Sequence, residues 1–409
     1  MNRNVFYVKD IYDVSDDKNV IASPLGVFTL LSLYSAATTG DSREQLVKYL
    51  GLPDYTQQLP GGSCKKNEDI KKNIDADADS NTTIEGEKQQ QQHSKSLAAH
   101  RSAMTKSYKN LTQRFITMDP KFLTLANKVC VSNDYQLKED FRNIVTRDYH
   151  SEVDSVDFKN PRGVVEMINR WADQKTRGHI KQPVSEELFT SETAAALFNV
   201  IFFQGHWHVP FEKADTVEKN FHISESNTVQ KPTMHLLQSL YYHEDKVLGA
   251  RMIELPYKES DFRMIVVLPD AVDGLPAVMD KLAQKGILEN VFAMRTPGRE
   301  IDLDMPKFDV KSKNHLKSIL MKEGVTGIFL NGARGVVKDK SLLVSKVFQE
   351  AFVKVDEEGA TAGAFTGIVL LPISTNSKPP SPIQFKVDRP FLYAILHKDV
   401  VLFVGTYTH

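Results

Sequence analysis

Residues 353–374 read Val353-Lys-Val-Asp-Glu357-Glu358-Gly359-Ala-Thr-Ala-Gly363-Ala-Phe-Thr-Gly367-Ile-Val-Leu-Leu-Pro372-Ile373-Ser374. Glycines four apart followed by aliphatics suggest a membrane helix of the GxxxG type, but the apolar run is too short to span a bilayer and Pro372 ends it. A phosphate cradle is disfavoured as well, because no Lys-Ser/Thr pair and no helical pattern follows the glycines. Read with a strand's period of two, the segment acquires a face: Ala360, Ala362, Ala364, Thr366, Ile368 and Leu370 point one way, and Thr361, Gly363 and Phe365 the other. Small residues at the start of that face would let such a strand slide between two existing strands without displacing a packed core. Beyond Ser374 the run Thr-Asn-Ser-Lys-Pro-Pro-Ser-Pro is exposed-loop chemistry. On these residues alone, a loop able to become a central strand and an idle glycine-rich connection are equally good readings.

Outward from this segment, strand-like runs occupy Leu123 to Val131, Leu197 to Phe203, Phe262 to Leu268, Leu342 to Val355, Phe391 to Leu396 and Val400 to Tyr407. The last two flank His397-Lys398-Asp399 and predict a hairpin. Helical patterning recurs at Pro24 to Leu50, Ala103 to Phe115, Lys138 to Tyr149, Val164 to Thr176 and His315 to Glu323. Helices come mainly early and strands mainly late, which predicts an α+β fold with antiparallel or mixed sheets. One polar stretch, about 59–100, contains the homopolymer Gln89 to Gln92 and cannot bury enough apolar surface to offset its ordering entropy. It is expected to be an insertion in one domain rather than a linker between two, since the 58 residues before it are too few for a sizeable core of their own.

Composition narrows the function. With 51 Lys+Arg against 52 Asp+Glu, the whole-molecule charge offers no reason to expect nucleic acid or a membrane as partner. The two cysteines, Cys64 and Cys130, are too far apart for a CxxC pair, and His206 and His208 around Trp207 lack a third ligand, so no metal and no cofactor is expected. None of GxxxxGK[ST], HExxH, GxSxG or a strand leading into GxGxxG occurs, and nothing argues for an enzyme. The start, Met1-Asn-Arg-Asn-Val-Phe-Tyr-Val-Lys-Asp10, meets charge before a signal-peptide core forms; the chain is expected to be cytosolic, already processed or lacking its true start. Asn81-Thr82-Thr83 and Asn110-Leu111-Thr112 fit the glycosylation pattern, which matters only for a secreted protein.

The residues resemble the serpins well beyond the loop. Asn19-Val-Ile-Ala-Ser23-Pro24-Leu, Leu125-Ala-Asn127 and Ile168-Asn169-Arg-Trp171-Ala-Asp-Gln-Lys175-Thr176-Arg-Gly178-His-Ile180 carry the likeness. So do Asn199-Val-Ile-Phe-Phe-Gln-Gly205-His-Trp207 with Pro210-Phe211, Glu254-Leu-Pro-Tyr257 with Leu268-Pro269, and Met305-Pro306-Lys307-Phe308. Asp388-Arg-Pro390-Phe391 and Leu402-Phe403-Val-Gly405 close the chain in the same style. The resemblance implies one domain over 1–409, with three β-sheets surrounded by about nine helices, and a hinge and reactive-centre loop over 357–382. It also implies suicide inhibition: a protease cuts the loop, is held as an acyl-enzyme, and is dragged across the molecule while the loop inserts into the large sheet.

Counting by the family's hinge spacing from Glu357 implies a scissile bond at Ile373-Ser374. Ile373, uncharged and β-branched, argues against a trypsin-like target and for an elastase-like serine protease, with cleavage at Leu371 or Leu370 suiting a chymotrypsin-like or papain-like one. The implied hinge is Glu357, Glu358, Gly359, Ala360, Thr361, Ala362, Gly363, Ala364, Phe365 and Thr366; about fourteen residues from Ala360 to Ile373 would form a strand on the order of 45 Å long. Phe365 and Gly363 depart from an alanine-rich hinge but belong to the outward face. The family's shutter maps to Ser23, Gly26, Asn199 and Gln349, with Gly26 for a usual Ser and Gln349 for a common His, a cluster either rewired or weakened. Trp207 maps to the breach.

Arg101, Lys106, Lys109, Arg114 and Lys121 lie near the helix that binds sulfated polysaccharide in some members, so polyanion binding is a minor expectation. Cys130 is expected to be a buried thiol and Cys64 an exposed one. The chain before Asn19 is shorter than a full first helix of the family. A monomeric extracellular inhibitor of a protease is expected; a cytoplasmic site, a non-inhibitory carrier, storage or chaperone role, and cross-class inhibition of papain-like cysteine proteases are the alternatives.

Overall fold

β4 (Ala195–Phe203) reads AALFNVIFF and is buried at every position; a strand without a polar face belongs in the middle of a sheet covered on both sides. The computed structural model describes residues 7–52, 102, 104–258, 261–284, 291, 298–358 and 381–409. Among them β4 is the centre of a five-stranded sheet of order β10 (Phe308–His315), β11 (Lys346–Val355), β4, β2 (Leu123–Ser132), β3 (Glu152–Val156). β4 runs antiparallel to β2 and parallel to β11, so that Asn199 stands between Asn127 and Gln349.

The second sheet runs β1 (Ile21–Ala22), β14 (Val400–Tyr407), β13 (Phe391–His397), β8 (Phe262–Pro269), β7 (Ala250–Pro256), β6 (Asn227–Asp245), β9 (Gly298–Pro306), β12 (Ile383–Lys386), with β5 (Val217–Ser224) also on β6. β6 serves two lobes: its first part pairs with β5 and β9, and Tyr241 to Asp245 pair with β7. Counted by lobe, these strands and the five-stranded sheet are the three sheets expected. The β13–β14 hairpin turns at Lys398, whose φ of 54° is left-handed.

The helix Pro24–Ser35 (PLGVFTLLSLYS) is buried on every side, as a helix apolar all round must be. It lies between the sheets, against β14 on one side and β2 and β4 on the other. The patterning from Pro24 to Leu50 is two helices, because Thr38 turns its hydroxyl back to the Ser35 carbonyl and Gly40 takes φ 56° to start Gly40–Tyr49. The opposite face of the five-stranded sheet is covered by the helix Pro161–Lys175, which buries Val164, Ile168, Trp171 and Ala172 along one stripe. The helix before Asn19, Tyr7–Val14, spans eight residues.

Two kinds of strand escape a reading by hydrophobic alternation. β5 and β6 leave much of their length half-exposed or exposed, so polar residues break the pattern. β10 alternates cleanly in burial, but two of its inward residues are Ser312 and Asn314. Their polarity is used: Ile21 donates its backbone N–H to Ser312 Oγ at 2.8 Å, and Asn314 Nδ2 donates to the Ile21 carbonyl at 2.8 Å.

Candidate functional site

The site is the seam between β4 and β11, with a polar cluster beneath its middle and a clasp at its upper end. The strand order decides what the seam admits. Chain leaving β11 and folding back beside it finds one side taken by β10; on the other side it would lie antiparallel to both β4 and β11. Here the two pair directly from Lys346↔Ala196 to Val353↔Phe203. The seam is closed.

Beneath it, the four residues assigned to the shutter converge. Ser23 caps the helix Pro24–Ser35, accepting the Gly26 N–H on Oγ at 3.0 Å. Gln349 bridges two elements: its Oε1 accepts the Ser23 N–H at 2.8 Å, and its Nε2 donates to the Ser23 carbonyl at 2.9 Å and to Asn199 Oδ1 at 3.0 Å. Asn199 Nδ2 donates to Asn127 Oδ1 at 2.9 Å, Asn127 Nδ2 to Thr29 Oγ1 at 3.1 Å, and Thr29 Oγ1 to the Gly26 carbonyl at 2.9 Å. All are buried, and none of these side chains is left without a partner. Gln349 thus ties the cap of the helix Pro24–Ser35 to Asn199 of β4 through both ends of its amide. Asn127 and Thr29 were not singled out from the sequence; an asparagine interrupting the apolar run of β2 was the available signal, since a buried amide requires partners.

At the upper end the chain leaves β11 through Asp356, Glu357 and Glu358. The Trp207 indole donates to the Asp356 carbonyl at 2.8 Å and stacks on Tyr257 at 4.5 Å. Backbone N–H groups of Phe211 and Trp207 donate to the carbonyls of Glu357 and Glu358 at 2.9 and 3.3 Å. The Glu357 carboxylate is buried, pairs with Lys307 at 2.9 Å and accepts the Thr216 hydroxyl at 2.9 Å, while Lys213 pairs with Glu358. Lys307, Thr216 and Lys213 were missed because no local pattern links the β9–β10 junction, the turn before β5 and the end of β11. The other hinge residues, Gly359, Ala360, Thr361, Ala362, Gly363, Ala364, Phe365 and Thr366, and the bond Ile373-Ser374, lie outside the described residues.

Burial pushes the Glu357 carboxyl up, but Lys307, a backbone N–H and Thr216 together hold it below its ordinary value of 4.5. A lowered carboxylate contributes stability in full above its unfolded value and loses it as pH falls through the folded one. Glu357→Gln is therefore expected to lower stability at pH 7 by about 1–2 kcal/mol, with a smaller deficit at a pH well below 4.5. Urea unfolding at the two pH values checks this; an equal deficit at both would refute it.

The remaining expectations fall away from the seam. Asn110 is exposed on the helix 104–116, while Asn81 and Cys64 lie outside the described residues. Lys106, Lys109 and Lys121 are exposed, but Lys109 pairs with Asp148 at 3.5 Å and the Arg114 guanidinium lies over Phe115 at 5.0 Å; Arg101 lies outside the described residues. Cys130 is buried in β2, and burial raises its thiol to about 12, the expected inert core position.

Comparison with known proteins gives one answer. The chain matches the family described as Serpin (serine protease inhibitor) over residues 5–409. Antitrypsin of Bombyx mori is 30% identical over 95% of this chain and 88% of its own length, and antichymotrypsin-2 of the same organism is 29% identical over 95% and 92%. A solved structure of a highly specific serpin of the insect Tenebrio molitor matches with a TM-score of 0.77 at 25% identity, covering 99% of this chain and 95% of that one.

Proposed function

The chain belongs to the serpin family, and on that premise we propose that it traps serine proteases by inserting its own cleaved loop between β4 and β11. The observation that carries this reading is the parallel, directly paired β4–β11 seam whose upper end clasps the start of the loop. An antiparallel strand placed there would satisfy the backbone of both neighbours. The loop has the composition for it, with no charge or proline on its inward face from Ala360 to Leu370. Insertion while the protease is still esterified to Ile373 moves the protease and stalls hydrolysis; this protein supplies the mechanical step and the protease the catalytic groups.

The relatives named antitrypsin and antichymotrypsin point to serine proteases as the partner class. Their individual targets do not transfer, because the residue entering the protease's primary pocket is local to each loop. Ile373 favours an elastase-like enzyme. Action outside the cell, as a monomer, belongs to the same proposal, and a mass shift on deglycosylation at the exposed Asn110 of protein from its native source tests the compartment.

Incubation with elastase-, chymotrypsin-, trypsin- and papain-like proteases is expected to give a detergent-stable complex with an elastase- or chymotrypsin-like member. The released fragment is expected to begin at Ser374, and the nicked protein to unfold at a higher temperature than the intact one. Cleavage by every member with no complex and no gain in thermal stability would overturn the proposal.

A further inference from the structure

The face of the five-stranded sheet turned away from Gln349 carries a feature that the polar cluster does not use. Side chains alternate along a strand, so Phe198 and Phe202 of β4 and Phe348 and Phe352 of β11 project to the side of the helix Pro161–Lys175. The register sets Phe348 opposite Phe198 and Phe352 opposite Phe202. Both pairs stack: the first has ring centroids 5.4 Å apart at 11°, the second 5.8 Å at 10°. Each pair therefore bridges the seam, one partner on either side.

The chain that leaves the helix then crosses over these rings. Its path is pinned, for Thr176 Oγ1 accepts the Ile180 N–H at 2.9 Å, and Asn169 bonds both the N–H and the carbonyl of Val184 at 3.2 Å. From this segment His179 lies flat on Phe202 at 3.9 Å and 12°, and 5.9 Å from Phe352. Phe189 meets Phe198 and Phe348 edge-on at 6.2 and 6.4 Å. At two levels, then, a stacked pair spans β4 and β11, and a ring from outside the sheet touches both members.

Neighbouring strands lie about 4.8 Å apart, and a strand admitted between them doubles that spacing. The paired rings would be carried to about 10 Å, beyond the roughly 4.5–7 Å over which aromatic pairs attract. An aliphatic pair at these positions would lose contact too, but without the directional stacking or the shared cap. We propose that the Phe198–Phe348 and Phe202–Phe352 stacks, capped by Phe189 and His179, form an aromatic clamp that holds the seam shut and sets how readily a strand enters it. The geometry stands by itself; the consequence for inhibition rests on the insertion reading above. There, insertion competes with hydrolysis of the acyl bond, and the clamp shifts the balance toward hydrolysis. These are positioning residues and do not touch the reacting atoms.

Amide hydrogen exchange on the intact full chain, with no protease present, reads the clamp directly. Phe352→Val keeps a strand-forming side chain and removes the ring; it is expected to speed exchange across 195–203 and 346–353 about tenfold. His179→Ala removes a cap from a partly exposed site and is expected to speed exchange in the same segments about threefold. Phe385→Val, the same truncation at a more deeply buried ring in β12 of the other sheet, is expected to leave them unchanged. If neither Phe352→Val nor His179→Ala moves these amides by twofold, or if Phe385→Val moves them as far as Phe352→Val, the clamp is refuted; should Phe352→Val not fold, His179→Ala decides. With a trapped protease as readout, Phe352→Val is expected to lower the number of inhibitor molecules consumed per complex. Faster seam exchange in variants of a protein that traps no protease would uphold the clamp and refute the inhibitory reading, so the two failures are distinguishable.

Discussion

If residues 360–370 insert as proposed, Ala364→Arg is expected to leave the protein a plain protease substrate, whereas Phe365→Arg is expected to leave trapping largely intact. The two positions are adjacent, and they differ in the face they would present once the strand lies between β4 and β11. Ala364 shares a face with Ala360 and Ala362, the small-residue side that would meet the interior. On the side of the sheet that carries Asn199 and Gln349, β4 and β11 present Leu197, Ile201, Val347 and Ala351 and no carboxylate, and burying an unpaired charge costs several kcal/mol even after relaxation. Phe365 belongs to the other face. Slowing insertion by several kcal/mol amounts to a factor of about a thousand or more, enough for hydrolysis to win nearly every encounter. The fraction of loop-cleaved protein found in detergent-stable complex measures this. Equal loss in both variants would show that the face has no bearing on insertion.

Gly26→Ser is expected to destabilise the fold by about 2–4 kcal/mol, although the same change on an exposed helix would stabilise it. A Cβ at position 26 would sit 2.2 Å from Asn199 Oδ1 and 2.7 Å from Gln349 Nε2, both deeply buried. Helix propensity returns at most about 1 kcal/mol, against roughly 1–3 kcal/mol for overpacking and a similar sum for displaced buried hydrogen bonds. Overpacking wins. Gly26 leaves the room that the side-chain amides of Asn199 and Gln349 fill. Gln349→His alone is expected to destabilise as well, and the double variant Gly26→Ser/Gln349→His to lose at least about 1 kcal/mol less than the sum. Strict additivity in a urea-unfolding cycle would disprove the coupling.

The family, the α+β class and four residues of the polar cluster, Ser23, Gly26, Asn199 and Gln349, were legible in the sequence, whereas Asn127 and Thr29 were not. Motifs such as Asn199 to Trp207 and Ile168 to Ile180 carry their information locally, and β4 announces its central place by having no polar face. Less legible were elements whose role lies in what they touch. β10 was hidden because Ser312 and Asn314 face inward to hold Ile21. Gly26 and Gln349 were each visible in the sequence, yet the hydrogen bonds that tie Gln349 to Ser23 join residues more than three hundred positions apart.

The amino-acid sequence by itself determined the family and the period-two alternation of small residues over 360–370. Each is a property of neighbours in the chain, readable from period and side-chain type. The tertiary structure alone decided that β4 and β11 meet without a gap, that Lys307 and Thr216 hold Glu357, and that two stacked phenylalanine pairs cross the seam. Those facts depend on the register between strands about 150 residues apart, which pattern along one strand does not encode and packing of both faces selects.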